Sequence, residues 1–199
     1  YILSYKPNVP IALIEAKRNT YSVGEGIQQA LAYAETLNIP FVFSSNGDGF
    51  VFHDRTGVIS PRETNLALHE FPSPADLWAR YRAWKGIDAE AEQIVLQDYY
   101  DDGSKKTPRY YQVNAINAAV EAIAGGQDRV LLVMATGTGK TFTAFQIIWR
   151  LWKSGRKKRI LFLADRNVLI DQTMVNDFRP FGGAMAKLST NSKTIERQD

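Results

Sequence analysis

An α/β fold in two successive parts is predicted by three features of the sequence. The first is Val130–Thr141, VLLVMATGTGKT, where six apolar residues run straight into a glycine-rich loop. The second lies behind that loop: Phe142, Phe145, Ile148 and Trp152 recur at helical steps before a further apolar run, Ile160–Ala164. Strand, helix and strand in that order make a βαβ unit and hence a parallel sheet with a right-handed crossover. The third is the opening third of the chain, where Pro10–Lys17 alternates and Asn46-Gly47 separates two β-rich runs.

Composition sets the frame. The 199 residues leave room for one or two domains, each able to bury a core. With 45% apolar and 23% charged residues the chain reads as globular. No apolar run approaches the ~20 residues of a membrane span. Cysteine is absent, which excludes a disulfide framework and thiolate metal sites and fits a reducing cytosol. A net charge of +3 permits a nucleic-acid partner without requiring one. The start at Tyr1 and the polar end, Thr190–Asp199, read as a piece of a longer polypeptide.

In chain order, Tyr1–Ser4 is a short β-prone run turned by Lys6-Pro7-Asn8. In Pro10–Lys17, PIALIEAK, the residues Ile11, Leu13, Glu15 and Lys17 share one face of a strand. Glu15 and Lys17 therefore project side by side from an apolar strand. An E-x-K pair is usually a solvated strand end. The functional alternative is half of a nuclease metal site, with a hard carboxylate oxygen for Mg²⁺ and an ammonium to steady the phosphate. Ser22-x-x-Glu25 reads as a capping box opening a helix, weakened by Gly24 and Gly26. Gln29 and Tyr33, four apart, lie on one face of that helix, which can be presented to the Glu15–Lys17 pair.

Pro40–Ser45 and Gly49–His53 form a hairpin of sheet scaffold, and neither His53 nor His69 carries a functional signal. Pro61–Phe71 shows no clear period. Ser73 or Pro74 opens an amphipathic helix with Leu77, Trp78, Tyr81 and Trp84 as its packing stripe, closed by Gly86. The polar stretch Asp98–Thr107, with its acidic pair Asp101-Asp102, reads as a connector between domains rather than a metal site.

Pro108 marks the first position of the next helix, striped by Val113, Ile116, Val120 and Ile123 and ended by Gly125-Gly126. Its start, Arg109-Tyr110-Tyr111-Gln112, can read adenine: the Gln112 amide matches the N6/N7 edge and an aromatic beside it can stack. In the loop, Thr136, Gly137, Thr138 and Gly139 cradle phosphates with backbone N–H groups. Lys140 reaches the β- and γ-phosphates, and the Thr141 hydroxyl takes a place on Mg²⁺. The first glycine of G-x-x-x-x-G-K-[ST] falls on Met134, a departure common in helicase-type motors. The basic turn Lys153–Arg159 reads as a solvated loop. Arg166, Asn167 and Gln172 follow the second apolar run, at the carboxyl side of the sheet where a polynucleotide backbone could be contacted.

Together these stretches resemble the restriction (R) subunit of type I restriction-modification enzymes, from about Tyr1 to Phe181. IEAK with QQALAY resembles a PD-(D/E)xK nuclease core with its Q-x-x-x-Y extension. RYYQ resembles the Q motif of superfamily-two helicases, and VMATGTGKT and ILFLADRNVLIDQ their motifs I and Ia. The resemblance implies an α/β arrangement of a partial PD-(D/E)xK domain followed by a partial RecA-like P-loop domain with a parallel sheet. Residues 1–72 would close the nuclease domain, 73–106 would be a helical linker, and 107–199 would open the first RecA-like domain. It further implies an ATP- and Mg²⁺-dependent subunit that translocates double-stranded DNA and cleaves unmodified foreign DNA. Its partners would be methylase and specificity subunits in a bacterial or archaeal cytoplasm, away from any membrane.

Carried over, Glu15 binds Mg²⁺, Lys17 assists hydrolysis, and Gln29 and Tyr33 support the nuclease site or hold DNA. Gln112 and Arg109 recognise adenine, residues 136–141 hold ATP and Mg²⁺, and Arg166 and Gln172 touch DNA. The family's first metal-binding aspartate would precede Tyr1, and the acidic D-E-x-[HD] box and second motor lobe are absent from these residues. The 199-residue chain alone is therefore expected to bind ATP weakly, without efficient hydrolysis or DNA cutting. Two further readings stand beside this one: a nuclease–helicase of another repair or defence system, and a non-cleaving, nucleotide-gated DNA-binding module.

Overall fold

The computed structural model describes residues 1–104, 107–164, 171 and 173–188. It is mixed α/β, as expected. The first half is a five-stranded sheet in the order β1-β2-β3-β4-β5: β1 Ile2–Lys6, β2 Val9–Ala16, β3 Phe41–Ser45, β4 Gly49–Asp54 and β5 Glu63–Ala67. Only β2 and β3 run parallel, joined by α1, Ile27–Leu37; the other three pairs are antiparallel. The turns carry their local chemistry: Asn8 adopts φ 62° between β1 and β2, and Gly47 adopts φ 99° between β3 and β4.

The sheet is packed on both faces. One buries Ala12, Phe41, Phe43 and Phe52 with Leu77, Trp78 and Tyr81 of α2, Pro74–Lys85. The other buries Leu13, Val42 and Val51 against Ile27, Ala30 and Ala34 of α1. The α2 helix has the expected ends, a Ser73 hydroxyl accepting from the Asp76 N–H at 3.1 Å and a left-handed Gly86.

Several elements depart from the sequence reading. The Ser22–Glu25 box forms a turn, and α1 begins only at Ile27, because Gly24 and Gly26 leave the first turn without helical preference. Pro108 lies outside its helix: α4 is Tyr110–Ala124 with Arg109 at the N-cap. The strand β5 and the short helix α3, Ala89–Val95, went unread. The first is a polar edge strand whose only period is its alternating exposure, and the second is seven residues long.

The largest departure concerns the predicted parallel sheet of the second half. Val130–Ala135 and Ile160–Ala164 do not form strands, and Leu131 and Val133 are 87% and 89% exposed. An apolar run becomes a strand only when neighbours complete its backbone ladder. Among the described residues neither run has such a neighbour. The helix between them is present as α5, Lys140–Lys153. The helix expected to carry Val168, Leu169 and Gln172 lies largely outside the described residues.

Candidate functional site

Two groups of residues converge as the sequence suggested. The first is at the carboxyl end of β2. Glu15 and Lys17 lie side by side, Nζ to Oε1 3.1 Å, with side chains 19% and 26% exposed. Register pairs Leu13 with Val42 and Glu15 with Ser44, so Glu15 leaves the sheet on the face covered by α1. That helix presents Gln29, whose Oε1 accepts from the Lys17 ammonium at 2.7 Å. The Gln29 amide donates in turn to the Tyr33 hydroxyl at 2.9 Å. A hydrogen-bonded row Glu15–Lys17–Gln29–Tyr33 results, its last two members exposed. Gln29 thus holds the lysine, and Tyr33 fixes which way the Gln29 amide faces.

As a metal site this group is partial. Glu15 supplies one hard oxygen, half sheltered and next to a cation. Among the described residues no three His, Cys, Asp or Glu side chains converge. Asp101 and Asp102 accept from the backbone N–H groups of Gly103 and Ser104, as turn residues do, consistent with a connector. His53 pairs with Glu63 across β4 and β5 at 3.1 Å, a sheet contact.

The second group is the glycine loop. Gly137 and Gly139 have φ 80° and 84°, a conformation only glycine adopts without strain, and Gly139 caps α5. The loop therefore delivers Lys140 as the first residue and Thr141 as the second of a fourteen-residue helix, whose N–H groups and dipole favour an anion. The Lys140 ammonium lies back across the loop, 3.1 Å from the Ala135 carbonyl and 3.5 Å from that of Met134. The Thr138 hydroxyl also donates to the Ala135 carbonyl, at 2.6 Å. Thr136 and Gly137 are exposed. Left-handed glycines, a helix start and an inward ammonium fit a polyphosphate.

Gln112 ties this loop to α4. Its amide donates to the Thr138 carbonyl at 2.9 Å, and its carbonyl accepts from the Arg109 N–H at 2.9 Å. The Tyr111 hydroxyl, 3.3 Å from the same Thr138 carbonyl, reaches the loop as well. A Cβ on Gly139 would collide with Gln112 Nε2, so the glutamine occupies the space that a side chain there would need. Gln112 is buried, and both ends of its carboxamide are engaged on protein. Arg109 is exposed and donates to the Tyr111 hydroxyl at 3.0 Å. Arg166 and Gln172 lie outside the described residues.

Sequence reasoning missed a buried polar node joining the two halves. Arg150, on α5 and 1% exposed, donates to the Gln97 carbonyl at 2.9 Å, to Asn117 Oδ1 at 2.8 Å, and to the Val95 carbonyl. Its guanidinium lies 4.7 Å above the Tyr99 ring, and burial pulls its pKa below the ordinary range. Burial likewise pushes the Tyr99 hydroxyl up to about 12, so it stays protonated and donates to Asn117 Oδ1 at 2.9 Å. One turn earlier on α5, Gln146 brackets Tyr100, accepting from its N–H and donating to its carbonyl at 2.9 and 3.0 Å. Asn117 continues to the Asn8 carbonyl in the β1–β2 turn at 2.8 Å. The helix that starts at the glycine loop is thereby linked to the sheet that carries Glu15. The only sequence sign was an arginine and a glutamine on a helix otherwise rich in aromatics.

A family model described as "Type III restriction enzyme, res subunit" matches residues 105–199. The endonuclease subunit of the type I restriction enzyme EcoAI of Escherichia coli is 59% identical over 98% of this chain and 24% of its own length. That of EcoKI, from Escherichia coli strain K12, is 32% identical over 83% of this chain and 18% of its own. The chain thus spans about a quarter or less of the length of these relatives. A solved fragment of a candidate HsdR subunit of a type I restriction enzyme from Vibrio vulnificus YJ016 superposes with a TM-score of 0.70 at 42% identity. It covers 77% of this chain and 28% of the solved one.

Proposed function

The chain is homologous to the endonuclease subunits of type I restriction enzymes, and from that premise we propose that it carries part of a Mg²⁺-dependent nuclease centre together with the ATP-binding loop of a DNA translocase. The observation that supports this most is the row Glu15–Lys17–Gln29–Tyr33 in one chain with a phosphate-type loop. Glu15 would give one oxygen to Mg²⁺, which supplies positive charge to the phosphate under attack. Lys17, steered by Gln29, would sit against the non-bridging oxygens and stabilise the charge that develops there. The described residues hold only part of the metal's ligands, so the cutting centre needs further oxygens beyond Glu15.

On the motor side, Lys140 would leave the Ala135 and Met134 carbonyls for the β- and γ-phosphates. The N–H groups at the start of α5 would hold the same oxygens, and Thr141 would take its place on Mg²⁺. Gln112 and Arg109 would meet the adenine. Gln112 is already bonded to Thr138, so a base at its amide would be sensed by the phosphate loop directly. Double-stranded DNA, with Arg166 and Gln172 among its contacts, and methylase and specificity subunits complete the reading as partners. Among the described residues no helix is long and apolar enough to cross a membrane.

Gln29→Ala tests the nuclease half. In the intact subunit with its partners, cleavage of duplex DNA should slow about tenfold, as for residues that orient a catalytic group. DNA-stimulated ATP hydrolysis should stay at the wild-type level. Equal loss of both activities, or loss of neither, contradicts the role given to Gln29.

A further inference from the structure

We propose that Ser44 is a positioning residue of the Glu15–Lys17 site, and that its hydroxyl sets the helix bearing Gln29 against the strand bearing Glu15. This inference rests on the nuclease reading above. Glu15 and Ser44 stand opposite one another in the parallel β2–β3 pair, so both leave the sheet toward α1. Ser44 is fully buried, and its Oγ accepts from the Gly26 N–H at 3.1 Å. Gly26 is the residue that opens α1, and among the described residues no side chain caps that helix. The buried Gly26 N–H therefore has its partner on the neighbouring strand instead of on its own helix.

Space at Gly26 points the same way. A Cβ there would lie 2.8 Å from Glu15 Cγ, 2.9 Å from Ser44 Oγ and 3.3 Å from Glu15 Cβ. With φ at −85°, Gly26 needs no left-handed conformation; glycine is required by closeness alone. The stem of Glu15 is thus confined between its own strand and the first backbone of α1. One turn further along, Gln29 receives the Lys17 ammonium at 2.7 Å. One hydroxyl anchors the element that confines the acid at one point and holds the lysine at the next. An alanine at position 44 keeps most of the volume and removes that anchor.

The test uses the intact endonuclease subunit with its methylase and specificity partners. Ser44→Ala, Gly26→Ala and Glu15→Ala are compared with wild type in cleavage of circular duplex DNA and in DNA-stimulated ATP hydrolysis. Mn²⁺ binding is followed by electron paramagnetic resonance on the subunit without DNA or nucleotide. Ser44→Ala should lower both the cleavage rate and the Mn²⁺ affinity about tenfold, the range seen when outer partners of a ligand are lost, with ATP hydrolysis unchanged. Gly26→Ala keeps the hydroxyl but presses a methyl against Glu15, and should show the same pattern; it decides the matter where Ser44→Ala does not fold. The proposal is overturned if Ser44→Ala, or Gly26→Ala where Ser44→Ala does not fold, cleaves and binds Mn²⁺ like wild type while Glu15→Ala does neither. It is also overturned if cleavage and ATP hydrolysis fall together. Normal cleavage by Glu15→Ala would instead remove the nuclease reading itself.

Discussion

Lys140→Ala is expected to lower DNA-stimulated ATP hydrolysis by on the order of 10²–10³, the loss typical when one preorganised charge facing a transition state is removed. The substitution should leave the fold intact. Lys140 is exposed and opens α5, and among the described residues its ammonium meets the carbonyls of Ala135 and Met134 at the rim of the loop. Those contacts keep the lysine over the place where phosphates would lie, and an alanine leaves the glycine turns unchanged. DNA cleavage should vanish with hydrolysis if, as proposed, the nuclease centre works in one subunit with an ATP-driven translocase. Steady-state hydrolysis of the intact assembly with duplex DNA measures this. Hydrolysis at the wild-type rate would exclude the loop as the site of ATP turnover.

Arg150→Met should destabilise the 199-residue chain by about 3 kcal/mol, since it strands acceptors that a buried cation now satisfies. Three acceptors lose a donor at once, the carbonyls of Val95 and Gln97 and the side chain of Asn117. The stacking of the guanidinium on Tyr99 goes with them. Methionine fills a similar volume, so the loss reports hydrogen bonding rather than a cavity. Chemical denaturation gives the value directly. A change below about 1 kcal/mol, an ordinary surface effect, would show that the node is not what joins the halves.

Legibility from sequence followed the range of the forces involved. The β3–β4 hairpin and the α2 caps were readable because a glycine turn or a serine cap acts within a few residues. Lys17 beside Glu15, and Gln29 beside Tyr33, were readable because strand and helix periods fix which residues of one element share a face. Ser44 was hidden, since its importance comes from standing opposite Glu15 on another strand, a relation no local pattern contains. Arg150 was hidden for a different reason. A charged residue on a helix is ordinarily solvated, and only the folded chain reveals that carbonyls from 95–97 close over it.

The runs Val130–Ala135 and Ile160–Ala164 teach the converse. Their apolar character was plain, yet a parallel strand is a property of its neighbours, and among the described residues these runs have none. The adenine reading of Gln112 had a similar blind spot. The side chain stands where the motif implied, at the glycine loop, but its carboxamide spans from the Arg109 N–H to the Thr138 carbonyl. A pattern of residue types locates a polar group far better than it states which partner that group has taken.

The most direct test of a motor and a nuclease sharing this chain is cleavage of circular duplex DNA by the intact subunit carrying Glu15→Ala. It is assayed with its methylase and specificity partners and Mg²⁺, with and without ATP. The account predicts that wild type cuts only with ATP, and that the variant hydrolyses ATP normally while the circle stays closed. A variant that still linearises the circle would contradict the assignment of Glu15 and leave only the nucleotide-binding half of the proposal.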